Sequence, residues 1–115
     1  MKTVHTEQAP KALGPYSQAI VANGFVFISG QGGIDPATGT LQEGVEAQTL
    51  QAMKNIEAIL KEAGTDFSKV VKTTCFLADI NDFAKFNAIY ADYFTSKPAR
   101  SCVAVKELPA NFQVE

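Results

Sequence analysis

The chain has 115 residues, a formal net charge of −2 and 46% hydrophobic residues, enough for one domain with a real core and too few for two. This balance offers no electrostatic pull toward nucleic acid or an anionic membrane, and no apolar run approaches the ~20 residues of a bilayer span. Met1 to Thr6 lacks an apolar h-region, so a cytoplasmic protein without a signal peptide is expected, with Cys75 and Cys102 as free, reduced thiols.

In chain order, residues 2–6 read as a short edge strand, followed by a loop with Ala9-Pro10 and Gly14-Pro15. Tyr16 to Ala22 alternates as a strand. Asn23-Gly24 is a two-residue hairpin turn, because both positions tolerate positive φ. Phe25 to Ser29 returns as the second arm, apolar on both faces like an interior strand covered on each side. Gly30-Gln31-Gly32-Gly33 breaks it, and Asp35 to Gly39 forms a turn. No Gly-Lys-Ser/Thr follows these glycines, so they are not a phosphate loop.

From Val45 to Ala63 the period becomes helical, with Leu50, Met53, Ile56, Ile59, Leu60 and Ala63 as one apolar stripe. Gly64 is the natural stop, whereas the start carries no capping side chain. Val70 to Ala78 reads as a strand with Val71, Thr73, Cys75 and Leu77 on one face. Asn81 is placed as the cap of a second helix, with Phe83, Phe86, Tyr90 and Tyr93 buried and Asn87 beside that stripe.

The chemically most suggestive stretch is Pro98 to Val105. With period two, Arg100, Cys102 and Ala104 share one face, and Ser101, Val103 and Val105 the other. The Val face is expected in the core. After the break around Pro109, Phe112 to Glu115 is expected to return antiparallel, bringing Glu115 near Arg100. An Arg fork able to grip a carboxylate, with an acid close by, is a candidate site.

The pattern is thus an α+β chain: a mixed β-sheet of about six strands with two helices on one face. The other face remains apolar and aromatic, so self-association, with ligand clefts between subunits, is the economical arrangement.

Four motifs then resemble one family. Gly14-Pro15-Tyr16-Ser17-Gln18, Phe27-Ile28-Ser29-Gly30-Gln31, Asn81-Asp82-Phe83 with Asn87 and Tyr90, and Pro98-Ala99-Arg100-Ser101-Cys102-Val103 with Leu108-Pro109 resemble the Rid family of reactive intermediate deaminases (RidA, YjgF type) over essentially the whole chain, as one domain spanning residues 1–115. The resemblance implies a chorismate-mutase-like homotrimer with sites between subunits. It also implies hydrolysis of 2-imino and 2-enamino acids, such as 2-iminobutyrate and 2-iminopropionate, to 2-keto acids and ammonia, with no metal and no organic cofactor. By the same resemblance Arg100 holds the substrate carboxylate and Glu115 activates water. Cys102 offers its backbone N–H, Tyr16, Ser29 and Gly30 line the cleft, and Asn87 supports it. Arg100 and Glu115 of one subunit would face Tyr16 of the next. The family runs on past this Glu into more apolar strand, so either this sequence is shortened or the last strand is truncated after Glu115.

Competing readings are an Arg100–Glu115 cross-strand ion pair worth ~0–1 kcal/mol, a non-catalytic trimeric sensor of small carboxylates, and an endoribonuclease or translation inhibitor. The acidic balance and a single peripheral His5 disfavour the last. Cys102 as nucleophile lacks a base. The His-x-Glu and Cys-x-x-Cys of zinc deaminases are also missing.

Overall fold

The computed structural model describes residues 1–115. Strands β1 (Lys2–Val4), β2 (Ala19–Ala22) and β3 (Phe25–Ile28) form an antiparallel ladder in that order. Asn23 and Gly24 make the hairpin turn with φ of 51° and 78°, the pair of positive values that a type I′ turn requires. Tyr16 to Gln18 precede the strand instead of belonging to it. Gln18 shows why: its buried side chain accepts from the Thr6 N–H at 2.7 Å and donates to the Pro10 carbonyl at 2.9 Å, pinning a loop where a ladder was expected. The Asp35–Gly39 turn closes a small hairpin, β4 (Ile34–Asp35) with β5 (Thr40–Leu41).

Helix α1 (Val45–Glu62) starts at Gly44 with no side-chain cap and stops before Gly64, whose φ is 83°. Its buried face carries Ala52, Met53, Ile59 and Leu60, but also Gln48, Thr49 and Asn55. Leu50, assigned to the stripe by spacing, is instead 39% exposed. Ile59 packs with Val4 and Ala19 under the first ladder, where burying a side chain of this size contributes about 1.5–3 kcal/mol. Gly32 and Gly33 are packing glycines: a Cβ on Gly33 would stand 2.5 Å from the Gln48 Cα, and one on Gly32 2.3 Å from the Phe112 ring.

Strands β6 (Lys72–Leu77) and β7 (Ala99–Ala104) run parallel, with helix α2 (Phe83–Tyr93) between them in sequence. Asn81 lies within a short 3₁₀ turn, Ile80–Asp82, capped by Asp79, whose carboxylate accepts the Asn81 N–H at 2.9 Å; α2 itself starts after Asp82 with no side-chain cap. Cys75 and Leu77 face the core formed with Phe86, Tyr90 and Phe94.

Three corrections position the site. First, register pairs Arg100 with Thr73 and Cys102 with Cys75, so the Arg100/Cys102 face is the helix-covered one. Val103 is 47% exposed on the opposite side, because both helices cover the Cys75/Leu77 face. Second, β3 is an edge strand with Phe25 and Phe27 56% and 61% exposed; nothing in the chain covers that side. Third, the ladders remain separate instead of merging into one sheet of about six strands. The tail pairs antiparallel with β6, the Phe76 and Glu115 backbones exchanging bonds of 2.8 and 2.9 Å, and not with β7.

Candidate functional site

Arg100 stands on an exposed end of β7, yet its guanidinium is not free to wander. The guanidinium carbon lies 4.7 Å from the Tyr90 ring centroid and 5.4 Å from that of Phe83, a cation–π seat from two residues of α2 spaced by two turns. One Nη1–H donates to Asn87 Oδ1 at 2.7 Å. Tyr90 is itself fixed by a 2.6 Å hydrogen bond between its hydroxyl and Thr73 Oγ1. Phe83, Asn87 and Tyr90 therefore seat the cation from i, i+4 and i+7 of one helix face. The remaining guanidinium donors carry no protein hydrogen bond and suit a carboxylate gripped in the fork geometry. A hollow of about 490 Å³ opens there, lined by Asn87, Tyr90, Lys97 and Arg100.

Glu115 sits elsewhere. Its carboxylate lies over Gly30, so close that a Cβ on Gly30 would come within 2.7 Å of Oε2 and push the carboxylate aside. Burial pushes its carboxyl above the ordinary 4.5, with no cation acting on it, because desolvation disfavours the charged form. The Gly30 N–H makes no hydrogen bond within the chain. Ser29 beside it donates its hydroxyl to the Ser17 carbonyl at 2.6 Å and its N–H to the Gln18 carbonyl at 3.0 Å. Those bonds tie Ser29 to the loop bearing Tyr16, whose half-exposed ring accepts the Leu13 N–H at its hydroxyl, at 3.3 Å. Glu115 and Ser29 also line a larger, mainly apolar groove of about 580 Å³ between β3 and β6, which does not include Arg100.

The candidate residues thus fall into two groups: Tyr16, Ser29, Gly30 and Glu115 in one, Asn87 and Arg100 in the other. The expected nearness of Arg100 and Glu115 within one chain does not occur, and the ion pair weighed for them is absent. The register gives the reason. Glu115 pairs with Phe76 on the side of β6 away from β7, and its side chain shares the Phe76 face, opposite to the Arg100 face. Cys102 packs against the core beside Cys75. Burial pushes the thiols of both up, only partly offset by Arg100 at Cys102, so neither is an activated nucleophile.

Sequence reasoning passed over the buried amides that hold this frame. Asn55, fully buried, donates to the Gly32 and Ile34 carbonyls at 3.1 and 2.9 Å. Gln48 accepts the Gln113 N–H at 2.8 Å and so anchors the segment leading to Glu115. The available signal was an amide inside each apolar stripe, the same clue that drew notice to Asn87.

An aromatic-seated arginine and a half-buried carboxyl over Gly30 stand on opposite faces of a small α+β fold. The chain belongs to the family described as endoribonuclease L-PSP, whose model matches residues 6–115, and its likeness to the Rid proteins extends through sequence and structure. A human protein named 2-iminobutanoate/2-iminopropanoate deaminase is 49% identical over 116 residues, 99% of this chain and 85% of that protein. A Yersinia pestis protein of the conserved Rid family is 50% identical with a TM-score of 0.96, over 98% of this chain and 92% of that one. Escherichia coli TdcF, solved with bound serine, is 36% identical with a TM-score of 0.95, over 99% and 93% of the two chains. No helix is long and apolar enough to cross a membrane.

Proposed function

We propose that this chain hydrolyses reactive 2-imino and 2-enamino acids, 2-iminobutyrate and 2-iminopropionate among them, to 2-keto acids and ammonia. The observation that carries the reading is the seated Arg100 with its unengaged donors, a ready carboxylate clamp, in a chain whose relatives include a named deaminase of this type. Serine bound in a structural relative is a small amino acid carboxylate of matching size.

Arg100 holds the substrate carboxylate with charge-assisted bonds. Glu115, ionised, takes a proton from a water as its oxygen adds to the imine carbon and passes it to the imine nitrogen, giving a neutral carbinolamine. The same carboxylate then takes the carbinolamine hydroxyl proton and delivers it to that nitrogen as the C–N bond breaks, so ammonia leaves and the carbonyl forms. The Gly30 N–H is positioned to receive an oxygen on this path. Metal and organic cofactor have no part in the scheme.

Because Arg100 and Glu115 occupy opposite faces, a complete site in this proposal joins Arg100 of one protomer to Glu115, Gly30 and Tyr16 of another. The exposed face with Phe25, Phe27 and Val103 supplies the apolar surface for a homotrimer. This arrangement replaces the expected one, in which Arg100 and Glu115 came from the same subunit. Such a protein belongs in the cytoplasm, clearing reactive products of amino acid dehydration. The test couples a threonine dehydratase to this protein and follows 2-ketobutyrate release with semicarbazide as competing trap. Acceleration by wild type and none by Arg100→Ala supports the proposal; equal rates with and without wild type overturn it. Binding of 2-ketobutyrate without acceleration leaves the alternative, a sensor of small carboxylates.

A further inference from the structure

We propose that Cys75 and Cys102 form a dithiol modification site that a hydroperoxide converts to an intrachain disulfide, altering the grip of Arg100 on carboxylates. The two are direct partners in the parallel register of β6 and β7, and both are free thiols. Both point to the helix-covered face and join the same core. Neighbouring strands lie roughly 4.7–4.9 Å apart, inside the roughly 4.4–6.8 Å that a disulfide spans between Cα atoms. Direct pairing on one face makes this a bridge that needs side-chain rotation and little backbone movement.

The pair is wired to the candidate site by a short chain of contacts. The Cys75 S–H donates to Thr73 Oγ1 at 3.9 Å, Thr73 meets the Tyr90 hydroxyl at 2.6 Å, and the Tyr90 ring is the platform under Arg100. Oxidation removes the S–H donor and leaves Thr73 to readjust its bond to Tyr90. Cys102 lies two residues from Arg100 on the same strand face, so the bridge also constrains β7 beneath the guanidinium.

The chemistry balances in two steps. Cys102, the more exposed thiol and the one beside Arg100, attacks the outer peroxide oxygen, giving a sulfenic acid and an alcohol, or water from hydrogen peroxide. The Cys75 sulfur then displaces hydroxide from that sulfenic sulfur; with the thiol proton it leaves as water, and the S–S bond remains. Sulfur supplies both electrons, and the peroxide O–O bond accepts them. Burial keeps both thiols largely protonated, so slow oxidation and slow reversal by a dithiol reductant are expected.

The consequence for Arg100 rests on the proposed function; the bridge does not. The experiment treats the folded, reduced full chain with hydrogen peroxide, then counts thiols after denaturation and maps peptides without reduction. Loss of both thiols together, a peptide joining Cys75 to Cys102, and recovery with dithiothreitol are expected. Affinity for 2-ketobutyrate, by calorimetry, should change at least about threefold and return on reduction. Cys75→Ala should stop at a dimedone-reactive sulfenic acid on Cys102 and form no intrachain bridge. Independent oxidation of the two thiols, or disulfides only between chains, overturns the site. A bridge that leaves 2-ketobutyrate affinity unchanged overturns its link to Arg100. Failure of the reduced protein to bind 2-ketobutyrate counts against the proposed function and leaves the peptide map to decide the dithiol.

Discussion

Arg100→Lys separates charge from geometry at the clamp. Lysine keeps the positive charge but presents a compact, strongly hydrated ammonium in place of a planar fork. Three things are lost: one charge-assisted bond to the substrate carboxylate, the 2.7 Å bond to Asn87, and the cation–π contact with Tyr90 at 4.7 Å from its ring centroid. A hydrogen bond to a charged group is worth about 1.5–3 kcal/mol and an exposed cation–π contact about 0.5–1 kcal/mol. The Asn87 and Tyr90 contacts act by holding the guanidinium still, so they enter affinity only in part. The substrate bond alone predicts a loss of roughly 10- to 150-fold in 2-ketobutyrate affinity at 1.4 kcal/mol per tenfold. Because the carboxylate is held equally in ground and transition states, KM should rise by that factor while kcat changes little. Titration calorimetry with 2-ketobutyrate, beside the dehydratase-coupled assay, reads both quantities. An Arg100→Lys protein that binds within twofold of wild type would refute the fork geometry and reduce Arg100 to a point charge.

Other consequences are local. Tyr90→Phe keeps the platform under Arg100 but breaks the bond to Thr73, so it should weaken 2-ketobutyrate binding less than Tyr90→Leu, and the order of the two affinities checks this. Gly33→Ala drives a Cβ into the α1 backbone 2.5 Å away; overpacking of this kind costs about 1–3 kcal/mol, read as a lowered urea midpoint with an unchanged slope. Asn55→Leu strips the Gly32 and Ile34 carbonyls of their donor and should lower stability by about 1–3 kcal/mol for each acceptor left unmet. Glu115→Gln tests both proton transfer and linkage. The Glu115 carboxyl is raised by burial above the 4.5 of the unfolded chain, so the folded state favours its protonated form. Its contribution to stability is full below 4.5 and is lost as pH rises through the folded value. Glu115→Gln should therefore be the more stable protein at pH 7 and gain nothing at pH 3.5, while its turnover falls at least about a hundredfold. Equal stability differences at both pH values would remove the burial argument.

Local signals carried much of this fold. Asn23-Gly24 demanded its turn, Gly64 ended α1 where its φ of 83° requires glycine, and the spacing of Phe86 and Tyr90 set the buried face of α2. Asn87 and Tyr90 were legible as neighbours on one helix face, but their meeting with Arg100 on β7 was not, since it depends on how α2 packs over the strand pair. What escaped was the pairing of strands far apart in sequence. Alternation tells which residues share a face of β7, but not which face the helices cover. That choice was made by Cys75 and Leu77 on β6, and it turned the Val103 face outward. Nor does alternation tell which edge the tail joins, and joining β6 instead of β7 carried Glu115 away from Arg100. The buried amides of Gln18, Gln48 and Asn55 hid for a related reason: the backbone groups they hold lie 8 to 65 residues away in sequence.

The composite site is the central claim, and mixing two inactive proteins addresses it directly. Arg100→Ala and Glu115→Gln chains, unfolded and refolded together in equal amounts, would assemble at random into mixed trimers. In a symmetric trimer whose sites each take Arg100 from one protomer and Glu115 from its neighbour, about one site in four combines an intact Arg100 with an intact Glu115. Each variant alone should be inactive in the coupled assay, and the mixture should recover about a quarter of the wild-type rate. A mixture as inactive as its components would contradict the account, since it would mean that Arg100 and Glu115 never act across a subunit boundary.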